Sequence, residues 1–323
     1  MKLDSPIFTD KEAAREHLEA QRWPNGPICP HCGNCDQTRI TKMEGKAHRP
    51  GLYNCKECRE QFSVTVGTVF ERSKIALNKW LLATFLLASS KKGMSAHQLH
   101  RMLGVTYKTA WFMAHRIRAA MADDTTSGPM GGEGKTIEAD ETYIGKRETP
   151  RKSKRTTPYT KSGKSGGAQK RIVVGLVERG GKARMVHLND ATKDTVREVL
   201  VRNADRKSTL YTDESRLYTV TGGEYDAHRT VKHSAKEYVR REGDVVVHTN
   251  TIENVFSIFK RGMVGVYQHC GEAHLHRYLA EFDFRYNRRT ALKITDSERH
   301  DQLLAMVGGK RLTYRRIGEA QNA

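Results

Sequence analysis

The pattern of apolar and polar positions divides the 323-residue chain near residue 123. Before this point, apolar residues recur at helical spacing over 1–23 and over 73–122. After it, short apolar runs separated by turn residues predict strands and helices in alternation. The predicted strands are 136–145, 171–179, 183–189, 208–212 and 227–232, and the predicted helices are 192–204 and a segment that begins near 250. The Gly-rich segment 123–135 between the two parts predicts a linker.

Four of the six cysteines form two close pairs in the first part of the chain. Cys29 and Cys32 are separated by two residues, as are Cys55 and Cys58, and 22 residues lie between the pairs. This spacing lets both thiolates of a tight turn face one ion, and four thiolates complete the tetrahedron of a structural Zn²⁺ site. The sequence therefore predicts a zinc ribbon over 24–70.

Three smaller expectations accompany the ribbon. Ser63–Val66 alternates between polar and apolar residues and predicts a strand. Cys35 stays an alternative ligand, although an unligated thiol is the favoured interpretation. Cys270 stands alone and is expected to be an ordinary buried cysteine.

Residues 94–118 predict two short helices joined by a tight turn. Ser95 is placed to cap a helix that ends at Leu103, Gly104 supplies the turn, and Thr106 is placed to cap the second helix. This arrangement is typical of a DNA-reading helix-turn-helix, and a generic helical hairpin is the alternative. The polar and aromatic side chains on the second helix are Lys108, Trp111, His115, Arg116 and Arg118.

The charge of the chain indicates a polyanionic partner. Fifty-six Lys and Arg residues against 37 Asp and Glu give a formal net charge of +19, which favours DNA. The segment 146–170 holds nine Lys or Arg residues and a single Glu, and predicts a basic arm. We expect this arm and the cluster Arg285, Arg288 and Arg289 to contact the DNA backbone. No apolar run is long enough for a membrane span or a secretory leader, so a cytoplasmic, nucleoid-associated protein is expected.

Three acidic residues stand where chemistry is expected in the second part of the chain. Asp140 lies within a predicted strand, Asp213 ends another, and Glu253 lies in a helix with an apolar stripe. Strand, strand, helix in this order is the layout of RNase H-like nucleic-acid enzymes. Each acid also has a structural explanation: a solvated carboxylate for Asp140, a helix cap for Asp213, and a capping box with Asn250 for Glu253.

Several of these segments resemble the IS1595 family of transposases, the group called ISXO2-like. They are 137–145, 211–214, 248–254, 260–262 and 275–289. The order of zinc ribbon, helical DNA-binding region and acidic domain is similar as well, so the resemblance covers about residues 20–290.

The resemblance implies a DDE transposase that cleaves DNA and joins it to new DNA with two Mg²⁺ (or Mn²⁺) ions. Asp140, Asp213 and Glu253 then form the acidic triad, with Asp140 bridging the ions and the other two each holding one. Lys260, seven residues beyond Glu253, is expected to contact a phosphate, with an ordinary exposed lysine as an equal alternative. A homo-oligomer on DNA is also implied, because two DNA ends must be paired.

The third ligand stays open between Glu253 and its neighbours Asn250 and Asn254, with Glu253 favoured because a charged oxygen suits Mg²⁺ better than an amide. A DNA-binding regulator without enzymatic activity, or an RNase H-like nuclease that does not join strands, are the alternative functions.

The predicted fold class is α+β and multidomain, with a zinc ribbon, a helix-turn-helix region and an RNase H-like α/β catalytic domain on a mixed sheet. The predicted divisions are a helical segment 1–23, the ribbon 24–70, the helical region 71–122, the linker 123–135, the catalytic domain 136–295 and a basic tail 296–323.

Overall fold

The computed structural model describes residues 2–122, 128–148, 170–310 and 312, and the chain divides into two compact units. The first unit comprises Met1–Ala122 with Arg288–Ala323, and the second comprises Asp123–Asn287. In chain order, the elements are α1 Pro6–Thr9, α2 Lys11–Arg22, β1 Ile40–Met43, β2 Leu52–Cys55, β3 Gln61–Phe62, α3 Leu77–Ser89, α4 Ala96–Leu103, α5 Tyr107–Met121, β4 Thr136–Lys146, β5 Lys170–Glu178, β6 Ala183–Leu188, α6 Lys193–Asn203, β7 Thr209–Asp213, α7 Thr219–Gly222, β8 Ala227–Val231, β9 Arg240–Glu242, β10 Val245–Val247, α8 Asn250–Gly262, α9 Leu275–Asn287 and α10 Asp296–Ala305.

The ribbon in the first unit is a three-stranded antiparallel sheet in the order β1-β2-β3. Its apolar side is formed by aromatic rings: Trp23 meets Tyr53 and Phe62 edge-on at 5.4 and 5.8 Å between centroids. The strand predicted at Ser63–Val66 is wrong. The third strand ends at Phe62, and the Val66 N–H donates to the Ser63 carbonyl at 3.0 Å, which closes a turn.

Two short helices follow α3, and their ends are capped as the sequence predicts. Ser95 accepts a hydrogen bond from the Gln98 N–H, and Thr106 accepts one from the Thr109 N–H. Gly104 ends α4 with a φ of 60°, a left-handed conformation that glycine adopts without strain. The two predicted short helices and the turn at Gly104 are therefore present.

Two predicted connecting segments carry more structure than expected. Met130, in the predicted linker, is buried in the core of the second unit and exchanges backbone hydrogen bonds with Asn203 and Asp205. The predicted tail begins with α10, because Leu303 and Leu304 are fully buried apolar residues and Thr295 closes a capping box with Glu298. The remaining parts of the linker (123–127), the arm (149–169) and the tail (311 and 313–323) lie outside the described residues.

The second unit is built on a five-stranded sheet in the order β6-β5-β4-β7-β8. β5 runs antiparallel to both of its neighbours, β6 and β4, whereas β4, β7 and β8 run parallel. Numbered within the sheet, the order is 3-2-1-4-5 with the first strand in the centre, which is the RNase H-like arrangement. Every strand and helix predicted for this unit is present, whereas α7, the β9–β10 hairpin and α9 were not predicted.

Helices cover both faces of this sheet. Val196, Val199 and Leu200 of α6 pack with Ile137 and Ala139 on one face. On the other face, the predicted apolar stripe of α8 is buried with residues of β5 and α9. The members of that stripe are Ile252, Val255, Phe256, Phe259 and Met263.

Glycine 175 allows α8 to lie close against β5. A Cβ atom at this position would stand 2.7 Å from the Phe256 ring and 2.8 Å from Ile252 Cδ1, both closer than van der Waals contact allows. Gly175 pairs with Asp140 across the strands, so this close approach occurs beside the first predicted catalytic acid.

Within the part of the chain that the structure describes, no helix combines the length and the apolar character needed to cross a bilayer.

We predict that Gly175→Ala lowers the free energy of unfolding by about 1–3 kcal/mol, because the added methyl group overpacks the interface between α8 and β5. Chemical denaturation of the full chain measures this change. Gly128→Ala is the control, since a Cβ there has no atom within 4 Å. Equal stability of both variants would show that α8 does not depend on this close contact.

Candidate catalytic metal site and zinc ribbon

The two predicted catalytic aspartates lie side by side on neighbouring strands. β4 and β7 are parallel, and Thr136 pairs with Thr209. Asp140 and Asp213 each stand four residues beyond this pair, so the same register brings them level. Asp140 stands two residues after Glu138, and Asp213 stands two residues after Tyr211. Side chains two residues apart on a strand lie on the same face, which here is the face that α8 covers.

A third carboxylate joins the two aspartates. Oxygen atoms of Asp140, Glu141 and Asp213 all lie within 4.8 Å of one another. Each side chain is held: Asp140 Oδ1 accepts from the Glu141 N–H at 2.8 Å, Glu141 Oε2 accepts from the Tyr218 hydroxyl at 2.7 Å, and Asp213 Oδ1 accepts from the Ser215 N–H at 2.9 Å. Glu141 was not among the predicted site residues. Its only signal in the sequence is its place directly after Asp140.

This acidic group is poorly solvated, and its carboxylates repel one another when ionised. Burial first, and then the carboxylates of Glu141, Asp213 and Glu253, raise the pKa of Asp140 to about 8 against a stabilising backbone N–H. Burial also raises the pKa of Glu141. Among the described residues, none of the three carboxylates of the group has a Lys or Arg ion-pair partner. Clustered oxygen ligands without a counter-charge are the donor set that Mg²⁺ or Mn²⁺ takes.

Glu253 stands beside this group and not within it. Its side chain is about half exposed in the first turn of α8, where Oε1 accepts from Thr249 Oγ1 at 3.2 Å and lies 3.5 Å from His233 Nε2. It remains close enough to raise the pKa of Asp140. The structure thus brings Asp140 and Asp213 together and leaves Glu253 at the edge. Lys260 is exposed on the same side of α8, about 10 Å further along the axis.

A buried carboxylate that the sequence analysis missed fixes the start of α8. Glu138 has no exposed surface, and its Oε2 accepts from the N–H groups of Thr251 and Ile252 at 2.8 and 3.0 Å. Its Oε1 accepts from Thr251 Oγ1 at 2.8 Å and from Arg179 Nε at 2.7 Å. A carboxylate at a helix N-terminus satisfies N–H groups that have no partner inside the helix. Glu138 therefore ties α8 to the strand that carries Asp140.

The four predicted zinc ligands converge in the first unit. The sulfur atoms of Cys29, Cys32, Cys55 and Cys58 all lie within 4.8 Å, with 3.6 Å between Cys29 and Cys58 and 3.7 Å between Cys32 and Cys55. Zn–S bonds of about 2.3 Å in a tetrahedron require sulfur atoms about 3.8 Å apart, so these residues fit one Zn²⁺ ion. Hydrogen bonds, first of all from the Cys58 N–H, lower the pKa of Cys55 to about 6 and favour its thiolate.

Cys35 does not belong to this group, so the alternative of a Cys35 ligand finds no support. Cys270 is buried, as predicted.

The predicted contact of Arg285 with the DNA backbone is wrong because its side chain is buried, and three polar residues of α5 are buried as well. His115, Arg116 and Arg118 are 1%, 6% and 2% exposed. Arg116 donates to the Glu71 carbonyl at 2.7 Å and lies over the Trp80 ring at 5.3 Å. On α9, Arg285 is paired with the fully buried Glu281. These residues lie on the buried sides of α5 and α9. In α5, only the N-terminal end, with Lys108, is exposed.

Models of known protein families match two separate parts of the chain. Residues 131–287 match the model of the ISXO2-like transposase domain, and residues 9–61 match that of the transposase zinc-ribbon domain. The two matches define the class of protein: a transposase with an N-terminal zinc ribbon.

A relative from Halobacterium salinarum, described as an uncharacterized protein in transposable element ISH50, is 30% identical over 285 residues. The alignment covers 86% of this chain and 91% of that protein. The chain therefore belongs to the IS1595 family of ISXO2-like transposases.

Solved structures give only distant likenesses. A pre-cleavage Mos1 transpososome and the Mos1 strand transfer complex are each 10% identical to the chain, with TM-scores of 0.27. The alignments cover 69% of this chain and 76% and 75% of those chains. The description of the fold rests on the strand order and not on these likenesses.

We predict that the double variant Cys29→Ser, Cys32→Ser loses about one zinc ion per chain, because half of the thiolate ligands are removed. Metal analysis of the purified chain measures the loss, and specific binding to the transposon ends should fall with it. Cys35→Ser is the control and should keep the full zinc content. A normal zinc content in the double variant would refute the ribbon site.

Proposed function

We propose that the second unit is a DDE-type active site that cleaves a DNA strand at the end of a mobile element and joins the freed 3′ end to target DNA. The observation that carries this proposal is the acidic group itself: three carboxylates within 4.8 Å, without a Lys or Arg partner among the described residues. Such a group is costly for a protein to bury unless a cation binds there.

Each acidic residue has a separate role in the proposal. Asp140 on the central strand, Asp213 on the neighbouring strand and Glu253 on α8 would hold the two divalent cations, with Asp140 as the ligand they would share. Glu141, oriented by the Tyr218 hydroxyl, adds a fourth carboxylate next to Asp140. When bound, a pair of divalent cations lowers the pKa of the attacking water and stabilises the charge on the leaving 3′ oxygen.

The chain's own residues position the DNA around this centre. Lys260 lies on the same side of α8 as Glu253 and is proposed to contact a phosphate next to the scissile bond. Glu138 and Gly175 hold α8 in place, so that Glu253 and Lys260 keep a constant distance from Asp140. The same site serves both steps, because the 3′-hydroxyl released by hydrolysis becomes the nucleophile in the joining step.

Binding of DNA is proposed to use the first unit as well. The net charge of +19 supplies affinity that does not depend on sequence. The N-terminal end of α5, with exposed Tyr107 and Lys108, is the part of a second helix that reads bases in helix-turn-helix proteins. We also propose that copies of the chain assemble on paired DNA ends at the nucleoid in the cytoplasm.

We predict that Asp140→Asn lowers strand cleavage and strand transfer by at least about a thousandfold, because the bridging ligand is lost. DNA binding should be unchanged. The assay uses DNA with the element's own ends, Mg²⁺ and the full chain, and resolves nicked from joined products. Asp244→Asn, an exposed carboxylate in the same unit, is the control. Persistent joining by Asp140→Asn would defeat the proposal, and cleavage without joining by the wild type would favour a nuclease.

The same variant should report on the cost of burying the acidic group. In the presence of a chelator at neutral pH, Asp140→Asn should unfold at a higher temperature than the wild type. The raised pKa of Asp140, about 8, means that folding at neutral pH requires this carboxyl to take up a proton, which an amide does not. Added Mg²⁺ should raise the unfolding temperature of the wild type and not of the variant.

The third ligand is tested by Glu253→Gln against Glu141→Gln. We predict that Glu253→Gln abolishes cleavage. Glu141→Gln should weaken Mg²⁺ binding but retain measurable cleavage activity. The reverse result would transfer the role to Glu141, which lies nearer to the aspartates. Asn250→Ala and Asn254→Ala test the two amide alternatives in the same assay.

A further inference from the structure

A second cluster of metal-ligating side chains lies in the first unit, apart from the ribbon cysteines. It is formed by His17 on α2 and by His300 and Asp301 on α10. One ligand atom from each residue lies within 4.8 Å of the other two. The cluster brings together residues that are far apart in the sequence, and neither the zinc-ribbon match nor the transposase-domain match includes α10.

Each residue of this cluster has one polar atom without a hydrogen-bond partner among the described residues. These atoms are His17 Nε2, His300 Nδ1 and Asp301 Oδ1, and each is buried. The distance between His17 Nε2 and Asp301 Oδ1 is 3.8 Å, which is too long for a hydrogen bond. Buried polar atoms without partners are rare in folded proteins, so one on each of three clustered residues indicates a missing ligand.

The contact of His300 Nε2 with Thr84 indicates which ring nitrogen of His300 carries the proton. Thr84 Oγ1 donates its proton to the Leu81 carbonyl at 2.8 Å and lies 2.9 Å from His300 Nε2. With the Thr84 hydroxyl directed to the Leu81 carbonyl, its oxygen accepts from His300 Nε2–H, and this tautomer leaves the lone pair on Nδ1. His300 Nδ1 is buried and has no hydrogen-bond partner among the described residues, so a ligand other than bulk water must satisfy it. Metal-ligating histidines have this pattern, with one nitrogen on the ion and the other hydrogen-bonded.

We propose that His17 Nε2, His300 Nδ1 and Asp301 Oδ1 bind one divalent transition-metal ion of the zinc type. Two imidazoles and one carboxylate suit Zn²⁺ and its neighbours in the first transition row, and not Mg²⁺, which prefers oxygen ligands. Three protein ligands leave a fourth position for water. A direct ion pair between His17 and Asp301 is the simpler arrangement, but it leaves the His300 lone pair unsatisfied.

The site needs a small adjustment to close on the ion. Metal–ligand bonds of about 2.0–2.1 Å place ligand atoms about 3.3 Å apart, so the side chains must approach by up to about 1.5 Å. His17 and Asp301 have room to rotate, since their side chains are 23% and 37% exposed. The bound ion joins α2 to α10 and so links the two ends of the first unit.

Zinc analysis of the full chain tests this site. The chain is purified in excess Mg²⁺, which keeps Zn²⁺ from the acidic group of the second unit. We expect about two zinc ions per chain in the wild type, and about one in His17→Gln and in Asp301→Asn. Glu16→Gln is the matched control, because Glu16 is next to His17 on α2 but 70% exposed, and it should keep both ions. Equal zinc content in all four proteins would overturn the proposal, since the second ion would then be bound elsewhere.

A second measurement does not depend on the folding of the variants. The wild-type chain with zinc in the ribbon is titrated with Co²⁺ in excess Mg²⁺. Binding at the proposed site gives visible d–d absorption without the sulfur charge-transfer band of a cysteine site. Thr84→Val, which removes the hydrogen bond to His300, should weaken Co²⁺ binding by about 10–100-fold. Absence of the d–d absorption, or a Co²⁺ affinity unchanged by Thr84→Val, would contradict the assignment.

Discussion

The geometry of the proposed active site depends on one buried charge, the carboxylate of Glu138. A charge without exposed surface is tolerated only when hydrogen bonds and an opposite charge surround it. The first N–H groups of α8 and the Arg179 guanidinium fulfil this condition. Because Glu138 and Asp140 are two residues apart on β4, the start of α8 is held at a constant place relative to the aspartate. Gly175 completes the constraint by leaving room for the Phe256 ring.

Most of the second unit could be predicted from the sequence, because its strands are short apolar runs bounded by turn residues. β4, β5, β6, β7 and β8 all agree within a residue or two with the predicted ranges. The roles of the acidic residues within β4 could not be assigned in the same way. Glu138, Asp140 and Glu141 are neighbours of similar chemistry, and their separation into a helix cap and a cation-binding group is decided by Arg179 and Tyr218, which come from distant segments. Whether Glu253 completes the group depends on side-chain rotation, which no sequence pattern encodes.

The basic residues show where charge patterns mislead. Arg116 and Arg285 belong to apparent basic clusters in the sequence, yet both lie in cores. Each guanidinium is positioned over an aromatic ring, Trp80 at 5.3 Å and Phe282 at 4.6 Å. The long apolar stem of arginine packs like a hydrophobic residue while its head finds a carbonyl or a carboxylate. A count of positive charges therefore identifies a polyanion as the partner but does not identify the residues that contact it.

The path of the chain through its two units has a consequence for biosynthesis. The first unit is interrupted after Ala122 and resumes only at Arg288, where α10 packs against α2 and α3. Domains usually fold one after another as they leave the ribosome. Here the inserted unit can fold before α10 covers the apolar residues of α3 around Phe85, so the first unit is completed last. Premature termination anywhere in the inserted unit would then leave nascent chains with an uncovered apolar surface, and such fragments are expected to be degraded.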